Sequence, residues 1–171
     1  MTAKELFSPF PEKWERGDME VAIPKTMTSL GEVTIKAGDS AVFGPIGLTT
    51  IKYILLHVLS LHRKNPTMTE LRKHLLRSPA NLTQLVDSLE EAGWIRRTPS
   101  PEDRRATQIE LTESGHAKIE EAEAELSRRM KIFFEKYSDE DLRTFLNLLS
   151  RFGNDMLSLL NLGDFISYPE C

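Results

Sequence analysis

Asp103, Arg104 and Arg105 stand together in a proline-started segment, Ser100 to Ala106, between two short runs of β-forming residues, Trp94 to Thr98 and Ala106 to Leu111. A carboxylate beside two guanidinium groups can hold one of them in a fork-like pair, so that an arginine at the tip of a turn is aimed before it meets its target. Such an arginine suits a phosphate or the minor groove of DNA, where A·T-rich narrowing strengthens the negative potential. A second set lies just upstream: Ser78, Ala80, Asn81, Thr83 and Gln84 are small, polar or uncharged, and fall at the start of a helical pattern. At a helix N-terminus, Asn and Gln can bond adenine with two hydrogen bonds, while Thr and Ala can meet a thymine methyl, which is the chemistry of major-groove readout. Arg97, on the first run of the hairpin, is grouped with them. An ordinary solvated face for the helix, and a salt bridge that only stiffens the turn, are the competing readings.

These residues need a scaffold, and the periodicity supplies one. Leu48 to His62 carries Ile51, Ile54, Leu55, Val58, Leu59 and Leu61, the wide apolar stripe of a core helix. Asn65-Pro66 ends it, and Thr67 or Thr69 caps the next, in which Leu71, Leu75 and Leu76 face inward. After a tight break at Arg77-Ser78-Pro79, Ser78 serves as N-cap and Pro79 as first residue of another helix, with Leu82, Leu85, Val86 and Leu89 buried. Gly93 ends that helix, and the two β-runs form a hairpin with Pro99, Pro101, Glu102 and Asp103 as turn formers. Thr112 then caps a long helix with Ile119, Ala122, Leu126, Met130, Phe133 and Tyr137 at steps of three and four. The predicted fold is mainly α with a small β-wing, a winged helix-turn-helix followed by long terminal helices.

The chain of 171 residues, 40% hydrophobic and 28% charged, is enough for one modest globular unit. Its net charge of −4 is unevenly spread. His62 to Arg105 holds nine Lys and Arg against six Asp and Glu, a net of +3, leaving −7 to the remainder. That segregation concentrates positive potential on the winged module. No apolar run is long enough for a membrane span and no signal-peptide pattern opens the chain, so a cytoplasmic location and no membrane partner are expected. The single cysteine, Cys171, excludes an internal disulfide. His57, His62, His74 and His116 lack metal-ligand spacing, and no phosphate-binding glycine loop occurs, so neither an enzyme nor a cofactor or metal is expected.

Ser138 to Asp141 resembles a capping box, opening a last helix with Leu142, Phe145, Leu146, Leu149, Phe152, Met156 and Leu160. Leu148, Leu157 and Leu159 widen its stripe beyond what one neighbour covers, which points to a subunit interface. At the other end, residues 1–23 read as an N-terminal arm and Pro24 as the first residue of a helix over 24–43, with a hairpin from Val21 to Val42 as the alternative. The expected division is therefore an arm at 1–23, dimerisation helices at 24–47 and 112–171, and a DNA-binding region at 48–111, together one domain over about residues 24–160.

Leu48-Thr49, the helix from Ser78 to Gly93, and above all Asp103-Arg104-Arg105 followed by Leu111-Thr112 and Gly115, resemble the multiple antibiotic resistance regulator (MarR) family over roughly residues 48–160. The resemblance implies a homodimeric winged helix-turn-helix transcription regulator that binds pseudo-palindromic double-stranded DNA operators, often a repressor relieved by a small, frequently aromatic, ligand. It implies that the start of the 78–92 helix reads the major groove and that Asp103 with Arg105 or Arg104 forms the wing-tip contact. Tyr53 and His57 lie on the helix usually near the family's effector pocket and are the ligand candidates. A winged-helix module that holds a protein partner, with no effector or DNA target, is the alternative. Wing arginines and a polar helix start discriminate, since only DNA binding requires both. Arg105→Ala, or Arg104→Ala if that residue forms the tip, is expected to weaken DNA binding and to shallow its salt dependence by about one ion. Fluorescence anisotropy at two salt concentrations checks this, and wild-type affinity with an unchanged slope in both variants would remove the wing assignment.

Overall fold

The computed structural model describes residues 15–62, 64–75, 79–101 and 106–159. The chain divides into two compact units, Met1–Ile51 and Lys52–Cys171.

In the first unit, α1 (Arg16–Ala37) continues into a π-helical turn (Gly38–Phe43) and a short 3-10 turn (Gly44–Ile46). This corrects the sequence reading, which placed an arm over residues 1–23 and began the helix at Pro24. The helix starts at Arg16, and Pro24 lies inside it. A proline in a helix interior removes one ladder hydrogen bond. Before it Arg16 donates to Glu20 at 2.9 Å one turn on, and after it the Thr28 hydroxyl donates to the Pro24 carbonyl at 3.0 Å, a back-bond of the kind that bends helices. The β-branched run Val33, Thr34 and Ile35 also sits in α1, because each such residue costs only some tenths of a kcal/mol in a helix. The alternative hairpin over 21–42 does not form. At the end of the unit, the Thr50 N–H donates to Asp39 Oδ1 at 2.6 Å and its hydroxyl to the Ile35 carbonyl at 3.1 Å. These bonds tie the π turn to the start of α2 (Thr50–Leu61).

The second unit contains the rest of α2, then α3 (Met68–Leu75), α4 (Pro79–Glu91), β1 (Ile95–Pro99), β2 (Thr107–Leu111), α5 (Glu113–Phe134) and α6 (Asp139–Leu159). The order helix, helix, two-stranded hairpin, long helix is the expected one, and the break expected at Arg77 and Ser78 lies outside the described residues. Leu55, Leu56, Val58 and Leu59 of α2, Leu71 of α3, Leu82, Val86 and Leu89 of α4, Ile95, Ile109, Ile119 and Ala122 are all buried. Leu85, expected among them, is half-buried. Of the two candidate caps for α3, the structure uses Thr67: its hydroxyl accepts from Glu70 N at 3.3 Å while Glu70 Oε2 accepts from Thr67 N at 2.7 Å. The same reciprocal arrangement joins Ser138 and Asp141 at the start of α6. The hydroxyl and backbone N–H of Ser138 hold the Asp141 carboxyl below its ordinary range.

Strands β1 and β2 pair antiparallel, Ile95 opposite Leu111 through Pro99 opposite Thr107. Ser100 N donates to Ala106 O at 2.9 Å and extends the hairpin towards its tip. On its other edge β2 meets the segment before α3, where Ile109 N donates to Pro66 O at 2.9 Å.

The end of α4 and the start of α5 are locked together. Gly93, at φ 74°, lets Trp94 N reach back to Leu89 O at 3.0 Å and Gly93 N to Glu90 O at 2.9 Å, the paired bonds of a glycine-terminated helix. The Gly93 carbonyl in turn accepts from the hydroxyls of Thr112 at 2.7 Å and Ser114 at 2.9 Å. Thr112 N donates to Trp94 O at 3.0 Å, and the Thr112 hydroxyl caps α5 by accepting from Gly115 N at 3.0 Å. A Cβ at position 115 would stand 2.0 Å from Trp94 O, so only glycine fits. The Leu-Thr-x-x-Gly pattern is thus a structural lock between wing and helices.

Burial then declines along the chain: Ile119 and Ala122 are buried, but Ile132, Phe133 and Tyr137 are exposed, and α6 has no buried residue. Gly115→Ala is expected to cost about 1–3 kcal/mol through overpacking against backbone. At about 2–4 °C per kcal/mol for a chain of this size, a thermal melt should show a fall of several degrees. An unchanged midpoint would show that the junction yields.

Candidate nucleic-acid interface

Four of the sequence-selected residues share the first turns of α4: Ala80, Asn81, Thr83 and Gln84 are all exposed, while Leu82 and Val86 turn the opposite side of the helix into the core. The small polar face is therefore presented to solvent on a helix anchored by its apolar side. Ser78, proposed as its N-cap, lies outside the described residues, as do Asp103, Arg104 and Arg105 at the wing tip and Cys171 at the C-terminus. The hairpin that carries the tip is described as far as Pro101 and again from Ala106.

The two strand arginines face opposite ways, as successive residues of a strand must. Arg96 reaches across the ladder and forks onto Glu110, with both nitrogen to oxygen distances at 2.8 Å. The hydrogen bond and charge of each raise the guanidinium and lower the carboxyl from their ordinary values. Arg97 turns to α4 instead. Its backbone N–H donates to Glu90 Oε1 at 3.0 Å, and its guanidinium bonds both Glu90 and Asp87. Burial acts to lower the Arg97 pKa, but the hydrogen bonds and charges of Asp87 and Glu90 outweigh it and hold it raised. Sequence reading grouped Arg97 with the DNA-contacting residues and missed both of its partners. They lie ten and seven residues upstream, across the Gly93 turn, where no helical or strand spacing points to them.

The ligand candidates are together but already engaged. Tyr53 and His57 stack with ring centroids 5.6 Å apart, and His57 Nδ1 lies 3.1 Å from Glu123 Oε1, joining α2 to α5. Neither lines the cleft of about 180 Å³ bounded by Leu59, Ser60, His62, Asn65, Ile109, Glu110, Leu111 and His116. Among the described residues no group of three or more His, Cys, Asp or Glu could hold a metal ion, and no single helix is long and apolar enough to cross a membrane.

A core of three helices, a two-stranded wing and an exposed polar helix face define a winged helix-turn-helix protein. The MarR family model matches residues 46–106. Over 110 residues the chain is 31% identical to the HTH-type transcriptional regulator YdgJ of Bacillus subtilis (strain 168), itself uncharacterized, covering 63% of this chain and 67% of that protein. It is 37% identical over 82 residues to the HTH-type transcriptional regulator PapX of Escherichia coli, covering 47% of this chain and half the length of PapX. Among solved structures, the organohalide-sensing regulator RdhR in its 2,4-dichlorophenol-bound form superposes with a TM-score of 0.76 at 19% identity, over 96% of this chain and 97% of that one. A mutant MarR from Escherichia coli complexed with operator DNA superposes with a TM-score of 0.69 at 19% identity, over 81% and 99%. These likenesses are of fold. The chain belongs to the MarR family of winged helix-turn-helix transcription regulators.

Proposed function

We propose that this chain is a homodimeric regulator, acting as a repressor, that binds pseudo-palindromic double-stranded operator DNA and releases it in response to a small aromatic ligand. The observation that carries the reading is the exposed face of Ala80, Asn81, Thr83 and Gln84 on the first turns of α4, beside a rigidly based wing. In this reading Asn81 and Gln84 bond base edges, Ala80 and Thr83 make apolar contacts, and Ser78 caps the helix against a phosphate. Arg104 or Arg105, oriented by Asp103, enters the adjacent groove from the wing. The MarR relative crystallised with operator DNA and the RdhR relative crystallised with 2,4-dichlorophenol support the two halves of the proposal. Tyr53 and His57 remain the ligand candidates, a stacked pair that an aromatic ring could join.

The dimer rests on exposed apolar surface. On α6, Phe145, Leu146, Leu148, Leu149, Met156 and Leu159 are exposed, and on α1 so are Met19, Val21, Ile23, Leu30, Val33 and Ile35. Apolar surface of this extent is unusual on a monomer and marks an interaction site. A two-fold dimer would also set two α4 helices about 34 Å apart, one turn of DNA.

Asn81→Ala and Gln84→Ala are each expected to reduce preference for the operator by about 1–3 kcal/mol while sparing most non-specific affinity. Anisotropy on a duplex selected by the chain from a random library, and on a scrambled duplex, measures both. Equal losses on the two would mean that α4 only positions the protein, and failure to select any sequence would favour the protein-docking alternative. Light scattering at micromolar concentration should give twice the monomer mass, whereas a monomer that still binds a palindrome tightly would remove the symmetric dimer.

A further inference from the structure

Arg97 is the most heavily engaged cation described near the proposed DNA face. Three of its nitrogens bond carboxylate oxygens of one helix: the backbone N–H and one guanidinium nitrogen go to Glu90, and the other terminal nitrogen to Asp87. Its side chain is 29% exposed, against 62% for neighbouring Arg96. The cluster holds one cation between two carboxylates, so it carries a net charge of −1 and offers no surplus positive charge to a phosphate. Its location matters as much as its charge. Asp87 follows Gln84 by three residues and Thr83 by four, so it continues the exposed face of α4. Arg97 sits mid-strand in β1, opposite Ile109, in the hairpin that carries the wing tip. One guanidinium thus spans from the base-reading side of α4 to the wing.

We propose, on the reading that α4 and the wing bind operator DNA, that Arg97 is a positioning residue: with Asp87 and Glu90 it clamps the wing to α4, fixing the geometry in which base-reading side chains and wing tip meet one site, and makes no phosphate contact itself. A planar guanidinium suits this task because it bonds two carboxylates at fixed angles, whereas an ammonium is a point charge on a flexible stem. The clamp also offsets one of the two carboxylate charges that would otherwise face DNA.

Two variants of the full chain separate a clamp from a contact. Arg97→Lys keeps the charge and loses the fork. Asp87→Asn with Glu90→Gln removes two negative charges, keeps an amide oxygen for the Arg97 N–H, and frees the guanidinium. Anisotropy on the selected operator and on a scrambled duplex, at two salt concentrations and alongside a thermal melt, gives the readout. A clamp predicts that both variants lose about five-fold or more of their operator preference, on the scale of one base contact, with the salt slope of Arg97→Lys equal to that of wild type. Electrostatics alone would tighten binding to both duplexes alike and leave the preference unchanged, so a lost preference is the mark of the clamp.

The inference is overturned if Arg97→Lys retains full operator preference. It is overturned equally if the double variant keeps its operator preference and binds both duplexes more tightly with a steeper slope, because the freed arginine would then be acting as a phosphate contact. A lower melting temperature with preference intact would reduce the triad to a stability element and also overturn it. Failure of the wild type to prefer any sequence would instead bring down the DNA-binding reading, and the clamp with it.

Discussion

Two backbone carbonyls at the end of α4, those of Gly93 and Trp94, gather the hydrogen bonds that set the base of the wing. The Gly93 carbonyl accepts from the Thr112 and Ser114 hydroxyls, and that of Trp94 from the Thr112 N–H, while Gly115 lies too close to Trp94 O for any side chain. Four element ends meet there: the end of α4, the start of β1, the end of β2 and the start of α5. A five-residue strand extends about 16 Å, so a tilt of about 10° at its base would displace the far end by about 3 Å. That is the width of a hydrogen bond, and it would separate a guanidinium from its acceptor. Any chemistry at the wing tip therefore depends on hydroxyls placed at the opposite end of the hairpin.

Charge on the winged module follows the same logic of restraint. The segment from His62 to Arg105 is basic in sequence, yet both strand arginines are committed to carboxylates, Arg96 to Glu110 and Arg97 to Asp87 and Glu90. Exposed ion pairs contribute little stability, typically below about 1 kcal/mol. Their worth here is directional: Arg96 with Glu110 joins the two strands on one face of the hairpin, and Arg97 joins the hairpin to a helix on the other. A wing fastened on both faces loses less conformational freedom when it docks, which is how pre-organisation turns modest contacts into discrimination.

Most of the winged module was legible because its signals are local. Pro79 at the first turn of α4, the Leu82, Val86 and Leu89 stripe, the threonine cap before Gly115 and the Ser138 to Asp141 box each operate within one or two helical turns, and each is where its spacing puts it. Between Thr67 and Thr69 the sequence was neutral, and Glu70 decided it by bonding back to Thr67. The N-terminal boundary was misplaced because Pro24 and the run Val33 to Ile35 carry weak local penalties that a long helix absorbs. The Arg97 cluster was invisible for a different reason. Its partners are brought together by the Gly93 turn and the tilt of β1, and a pattern along the chain carries neither.

The helices at the two ends raise a question of energy that their own units do not answer. A helix of 21 or 22 residues is marginal in water unless an amphipathic face is packed, because nucleation is costly and propensity alone adds little per residue. Neither α1 nor α6 has a buried residue, and α1 contains two glycines and a proline that lower its intrinsic stability further. Local devices help at the margins: the Ser138 to Asp141 box secures one end of α6, and Asp39 with Thr50 secures the turn after α1. They do not replace a packed face. In the proposed dimer the missing burial comes from the second copy, so association and the order of these helices would be a single equilibrium. A ligand or condition that loosened one would loosen the other, and the spacing of the two α4 helices would change with it.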